Sequence, residues 1–111
     1  MTKLAADAFR TVGPGNAIPN NSAVPYYLDD RKLRISIARV GDHLYAFDDL
    51  CTCTDQPCPL SGGLLIGTTV MCQCHGSRFD ITTGAVSNGP ATKALNVYQV
   101  QDVEGNIQIL A

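Results

Sequence analysis

The chain lacks the features that would indicate several common functions. Its charged fraction is 16% and its net charge is −2, so we expect no broad basic surface for nucleic acid or an anionic membrane. No apolar run is long enough to span a membrane or to form the core of a signal peptide. No Ser/His/Asp grouping or pocket-building segment indicates substrate chemistry. We therefore expect a soluble, cytoplasmic, single-domain protein spanning residues 1–111.

Apolar residues recur mostly in short alternating runs, which predict β-strands. The predicted strands cover residues 24–28, 33–40, 43–48, 79–81, 95–100 and 107–110, with one or two more within 64–71. Residues 1–12 fit either a short helix or a first strand. No repeats or linkers are present. The pattern predicts an all-β fold, a small antiparallel barrel or sandwich interrupted by a loop-rich metal-binding region.

Charge is distributed unevenly in the first half of the chain. A basic run is followed by a group of acidic residues: Arg31, Lys32, Arg34 and Arg39, then Asp42, Asp48, Asp49 and Asp55. The simpler interpretation is a solvated strand face beside an acidic loop. The functional interpretation is a docking surface for a charged redox partner.

All five cysteines and one of the two histidines lie between residues 51 and 75. An odd number of cysteines cannot all form disulfides, and cytoplasmic cysteines are more often metal ligands. Cys51 and Cys53 form a C-x-C pair, and Cys72 and His75 form a C-x-x-H pair. Thiolate and imidazole ligands suit zinc or an iron–sulfur cluster. The other histidine, His43, lies at a predicted hairpin, and we expect it to be structural or exposed.

Four segments resemble the Rieske-type [2Fe–2S] ferredoxins, and the resemblance covers roughly residues 23–110. Residues 45–52 resemble the strand that leads into the family's first ligand box, and residues 58–63 resemble the end of that box. Residues 72–80, CQCHGSRFD, are similar to the second box almost residue for residue. Residues 83–91 resemble the loop that covers the cluster. The resemblance implies cluster-binding loops at about 50–92.

In this family the first box supplies Cys-x-His and the second supplies Cys-x-x-His. The second box complies, with Cys72 and His75, but the first contains no histidine. Aligned from its start, the first box has Cys51 as the cysteine and Cys53 at the histidine position. Aligned from its end, the cysteine is Cys53 and Asp55 takes the histidine position, as though Cys-Thr had been duplicated.

We favour the first alignment, in which Cys51 and Cys72 bind one iron and Cys53 and His75 bind the other. The second alignment, with Asp55 in place of Cys51, keeps the family's usual gap of sixteen residues before Cys72, whereas the first leaves eighteen. A thiolate is nevertheless a far better ligand for a sulfide cluster than a carboxylate. Two extra loop residues cost well under ~1 kcal/mol in closure entropy.

The resemblance also assigns roles to residues beside the ligands. Cys58 and Cys74 occupy positions that form a disulfide in the respiratory-complex branch of the family; two buried free thiols are the alternative. The remaining residues expected around the cluster are Gly76, Ser77, Phe79 and Pro90. Ser77 could donate a hydrogen bond to cluster sulfur, whereas Phe79 has no hydroxyl. Together with a third thiolate, this predicts a low reduction potential.

The resemblance implies an electron carrier rather than an enzyme, a [2Fe–2S] ferredoxin that shuttles one electron from a reductase to an oxygenase or another acceptor. His75 would be the electron exit. The alternative is a zinc-bound or metal-free Rieske-like module that acts as a small subunit or interaction partner. A third hypothesis is a thiol redox switch that uses Cys53, Cys58 and Cys74.

Overall fold

The fold is described from a computed structural model that covers residues 9–52, 58–74, 76–89 and 91–110. Five expectations lie outside these ranges: the structure of residues 1–8 and the placement of Cys53, Asp55, His75 and Pro90. Within the ranges given, no helix has the length and apolar character needed to cross a membrane.

Among the described residues, ten antiparallel strands form two sheets, which confirms the all-β prediction. The strands are β1 (Phe9–Pro14), β2 (Ser22–Leu28), β3 (Leu33–Val40), β4 (His43–Asp48), β5 (Leu64–Ile66), β6 (Thr69–Met71), β7 (Arg78–Asp80), β8 (Val86–Asn88), β9 (Val97–Val103) and β10 (Asn106–Leu110). The larger sheet has the order β1-β10-β9-β4-β3-β2, and the smaller has the order β5-β6-β7-β8. Single turns of 3₁₀ helix occupy Gly15–Ala17 and Leu60–Gly62.

The β3–β4 hairpin separates two apolar cores. Its turn follows from Gly41, whose φ of +62° is accessible to glycine at little cost, and Val40 pairs with His43 across it. Alternate side chains point to opposite faces, so Ile37 and Ala46 enter one core while Phe47 enters the other. Side chains on both faces of this hairpin are therefore buried, and the smaller sheet packs against the face that carries Phe47.

The smaller sheet carries the cysteine region and packs on the core that contains Phe47. Val70 of β6 and Phe79 of β7 are fully buried in this core, together with Leu60 and Leu95 from the flanking loops. Apolar burial on this scale, roughly 1.5–3 kcal/mol for each large side chain, fixes the short strands that could not stand alone.

Two segments refine the strand prediction. Phe9–Pro14 is a strand paired with β10, so this part of residues 1–12 takes the second of the two predicted forms. Val86–Asn88 forms β8, although its sequence was assigned to a loop. Three residues are too few to show an alternating pattern, and the strand depends on pairing between Phe79 and Val86.

Two arginines of the basic run, Arg34 and Arg39, form hydrogen bonds within the fold. Arg34 Nε donates to the buried carboxylate of Asp49 at 2.5 Å. Arg39 donates to the carbonyl oxygens of Gly15 and Ile18 at 2.9 and 2.8 Å. Arg39 is thus partly buried in the fold, whereas the side chain of Arg34 stays 40% exposed despite its bond to Asp49, and Arg31 and Lys32 are also exposed.

Replacing Gly84 by alanine is expected to destabilise the protein by about 3 kcal/mol, the sum of a left-handed backbone penalty and overpacking. Gly84 has a φ of +85°, and an added Cβ would lie 2.1 Å from the carbonyl oxygen of Leu95. Gly105→Ala is the matched control, because its φ is +84° and nothing lies within 4 Å of the added Cβ. Urea unfolding should show a loss of only about 1 kcal/mol for this control. Equal losses would show that the contact with Leu95 is unimportant.

Candidate metal centre

The first ligand box is a loop pinned at its base. It leaves β4 and returns to the 3₁₀ turn at Leu60–Gly62, and Leu50 and Pro59 form an isolated β-bridge across its ends. Cys51 N donates to Cys58 O at 2.9 Å, one step farther into the loop. Among the described residues, the base of the box is therefore formed by Leu50, Cys51, Cys58 and Pro59.

The second box is the connection between β6 and β7. Cys72 N donates to Ser77 O at 2.7 Å, and Gly76 N donates to Cys72 O at 2.9 Å. Gly76 has a φ of +79°, which a residue with a Cβ adopts only at a cost. These contacts place Cys72 and Ser77 opposite one another at the start and end of the box.

A third loop, between β8 and β9, is hydrogen-bonded to both boxes. The buried hydroxyl of Ser77 accepts a hydrogen bond from Ala91 N at 2.9 Å. Thr52 Oγ1 of the first box donates to Lys93 O at 2.6 Å. The three loops are therefore linked to one another by polar contacts.

A disulfide joins the two boxes directly. Cys58 and Cys74 are bonded, with their Cα atoms 6.4 Å apart. Cys58 is half-buried and Cys74 is exposed, so the bond lies near the surface of the protein. The Sγ atom of Cys72 lies within 4.8 Å of both disulfide sulfurs. Disulfide sulfurs are not thiolates, so this trio does not itself form a metal site.

Cys51 and Cys72 are the buried cysteines among the described residues, with exposed fractions of 3% and 0%. Both belong to the core cluster that contains Phe79, one at the start of each box. Two buried thiol groups on two braced loops are donors of the kind that an iron–sulfur cluster takes. The described part of the predicted ligand set therefore fits this cofactor.

The residues expected beside the cluster have distinct environments. Ser77 is fully buried, and since its oxygen accepts from Ala91 N, its own proton is left to donate elsewhere. Phe79 is also fully buried but contributes only apolar surface. Nearby, Asp80 Oδ1 accepts from Thr82 Oγ1 at 2.6 Å and from Thr82 N at 2.9 Å. These hydrogen bonds lower the pKa of the Asp80 carboxyl.

His43 is exposed, and its ring lies 6.3 Å from that of Tyr45 on β4. It is therefore in the exposed position expected for it.

Sequence reasoning missed the role of Asp49, which it assigned to an acidic loop. The carboxylate is fully buried and accepts from Ser61 N at 2.7 Å, in addition to Arg34. Its partners lie fifteen residues before it and twelve after it, so no local pattern could have identified them.

Comparisons with known sequences place the chain among iron–sulfur proteins. Residues 9–99 match the Rieske [2Fe–2S] domain family. The chain is 37% identical over 75 residues to "Ferredoxin CarAc" of Metapseudomonas resinovorans, covering 68% of each chain. It is 35% identical over 75 residues to the anthranilate 1,2-dioxygenase ferredoxin subunit of Burkholderia cepacia, again covering 68% of each.

Solved structures agree with this placement. The chain superposes with a TM-score of 0.81 on a chain from the complex of reduced oxygenase and oxidised ferredoxin in carbazole 1,9a-dioxygenase, at 28% identity and 93% coverage of each. The Sphingomonas yanoikuyae B1 ferredoxin superposes with a TM-score of 0.82, covering 92% of this chain and 97% of the other; at 24% identity it supports the fold alone. The chain therefore belongs to the Rieske [2Fe–2S] family, and it is an electron-transfer protein that carries a [2Fe–2S] cluster.

Proposed function

We propose that this protein is the ferredoxin component of an oxygenase system, accepting one electron from a reductase and passing it to a terminal oxygenase. Support comes from two relatives above 30% identity that are named as ferredoxins, one of them a dioxygenase subunit. A structural neighbour at 28% identity comes from an oxygenase–ferredoxin complex. The bound cluster supplies the one-electron chemistry, and the protein holds it and presents it to the two partners.

The ligands of the cluster are proposed to be Cys51, Cys53, Cys72 and His75. The observation that carries this assignment is the burial of Cys51 and Cys72 in one core cluster, at the starts of the two boxes. The base contacts hold Cys51 opposite Cys58, which supports Cys51 rather than Asp55 as the ligand from this box.

The boundaries and the cellular location follow from the same proposal. Residues 1–111 form one Rieske-like domain, and residues 50–92 contain the cluster-binding loops. We expect the protein in the cytoplasm, where thiol ligands stay reduced. A disulfide such as Cys58–Cys74 is uncommon in that compartment. Cell fractionation tests the location, and finding the protein in an oxidising compartment would overturn it.

Purified anaerobically, the protein is expected to be brown and to contain about two irons and two acid-labile sulfides per chain. Its reduction potential should lie below about −150 mV, the lower end for centres with two histidine ligands, because a third thiolate adds negative charge that favours the oxidised state. Protein-film voltammetry measures this potential and should show the titration of one imidazole rather than two.

The functional assay is reduction by a ferredoxin reductase followed by reoxidation by a Rieske-type terminal oxygenase, observed by stopped-flow absorbance. Colourless protein that contains zinc or no metal would contradict the proposal and favour the interaction module. A brown protein that exchanges no electrons with either partner would retain the cofactor and reject the role.

A further inference from the structure

The buried carboxylate of Asp49 lies at the base of the first box, two residues before Cys51. It has no exposed surface, and its Oδ2 atom accepts from Arg34 Nε at 2.5 Å and from Ser61 Oγ at 3.2 Å. Its Oδ1 atom accepts from Ser61 N at 2.7 Å. A carboxylate is retained in such a place only when its charge and lone pairs are compensated, and here three donors compensate them.

The backbone of the same residue completes the junction. Asp49 N donates to Arg34 O on β3 at 3.1 Å, and Asp49 O accepts from Leu60 N at 2.5 Å. Asp49 therefore binds the sheet through Arg34 and the returning end of the box through Leu60 and Ser61. One residue joins the start of the loop, its end and the strand beneath them.

This junction matters for the position of Cys51 because, in the favoured alignment, the first box is two residues longer than the family pattern. Extra residues increase the number of conformations open to the loop beyond its base. The position of Cys51 then depends more strongly on the contacts at the base of the loop, where Cys51 N donates to Cys58 O. We propose that Asp49 is the positioning residue of the first box, which fixes Cys51 in the core and thereby slows loss of the cluster; this rests on the proposed ligand set.

Asp48, the last residue of β4 and the chain neighbour of Asp49, provides a matched control. Its Oδ1 atom accepts from Tyr98 Oη at 2.6 Å, and its Oδ2 atom accepts from Asn96 N at 3.0 Å. These contacts connect β4 to β9 and none of them reaches the first box. Asp48→Asn and Asp49→Asn thus make the same chemical change in adjacent residues with different partners.

The experiment compares these two variants as cluster-loaded proteins in the presence of an iron chelator. In Asp49→Asn the amide NH₂ group faces a donor in either orientation, Arg34 Nε on one side or Ser61 N on the other, so one of these hydrogen bonds is lost. We expect this variant to release its cluster about ten- to a hundredfold faster than wild type, the factor for one charge-assisted hydrogen bond. Asp48→Asn should stay within about threefold, because it leaves the junction intact.

Two further readouts separate positioning from general destabilisation. The visible circular dichroism of the cluster should change in Asp49→Asn and not in Asp48→Asn, even where their urea midpoints are equal. Arg34→Gln should accelerate release in the wild-type background and add little to Asp49→Asn, because the two residues share one interaction. Equal release rates for the two asparagine variants, or additive effects of Arg34→Gln and Asp49→Asn, would overturn the proposal.

A different result is expected if the proposed function itself is wrong. If wild-type protein holds no cluster, the proposed function fails, and the junction is then tested by hydrogen exchange of the Cys51 and Leu60 amides. These amides should exchange about tenfold faster in Asp49→Asn than in Asp48→Asn if Asp49 fixes the box. Equal exchange in the two variants would reject the positioning role independently.

Discussion

Cys51→Ala is expected to abolish binding of the [2Fe–2S] cluster, whereas Asp55→Ala is expected to leave the iron content at the wild-type level. The physical reason is the preference of a sulfide-bridged iron for thiolate over carboxylate. The burial of Cys51 in the same core cluster as Cys72 supports this direction. Iron and acid-labile sulfide analysis, together with electron paramagnetic resonance of the reduced protein, measures the outcome.

Cys53→Ser serves as the reference for both alignments of the first box, since each of them uses Cys53 as a ligand. It should lose the cluster whichever alignment holds. The opposite pattern, with Cys51→Ala retaining the cluster and Asp55→Ala losing it, would establish the second alignment. Far-ultraviolet circular dichroism of each apoprotein separates loss of a ligand from loss of the fold.

Removing the disulfide is expected to have the second large effect. The bond closes a loop between Cys58 and Cys74, which are sixteen residues apart, so the Cys58→Ala/Cys74→Ala double variant should lose about 3 kcal/mol of unfolding free energy by the chain-entropy estimate. The cluster should also dissociate faster, because the disulfide is the covalent link between the two boxes.

Urea unfolding with and without a dithiol reductant measures this effect and contains its own control. Because Cys74 is exposed, a reductant can reach the bond, and wild type should lose stability on reduction while the double variant is unaffected. Wild type that is indifferent to the reductant would show that the bond contributes nothing. Reversible gain and loss of electron transfer with the redox state of this pair would instead support the thiol-switch hypothesis.

The strands could be predicted well because their signal is local. Alternation of apolar residues along 33–40 and 43–48 directly reflects the two faces of a strand, and the Gly41 turn joins them. β8 could not be predicted in the same way, because its three residues become a strand only through the partner β7. Short strands depend on their neighbours rather than on their own pattern.

In the candidate site, too, the local features could be predicted from the sequence and the contacts between distant residues could not. The positions of the cysteines and of His75 in the sequence already indicated the cofactor class, since ligand type and spacing are local properties. The partners of Asp49, in contrast, are distant in the sequence. The ties from Thr52 to Lys93 and from Ser77 to Ala91 likewise appear only when the loops are folded together.

By itself, the sequence indicated the all-β class through its alternating apolar residues, and a zinc or iron–sulfur site through its ligand types and their spacing. The family and its [2Fe–2S] cofactor were implied by the resemblance of four segments to the Rieske-type ferredoxins. Only the tertiary structure decided that Cys58 pairs with Cys74, that Cys51 is buried with Cys72, and that Asp49, at the start of the first box, binds the box's returning end and β3. Those outcomes depend on which groups far apart in the sequence meet in the folded chain, where a buried carboxylate is stable only with donors around it.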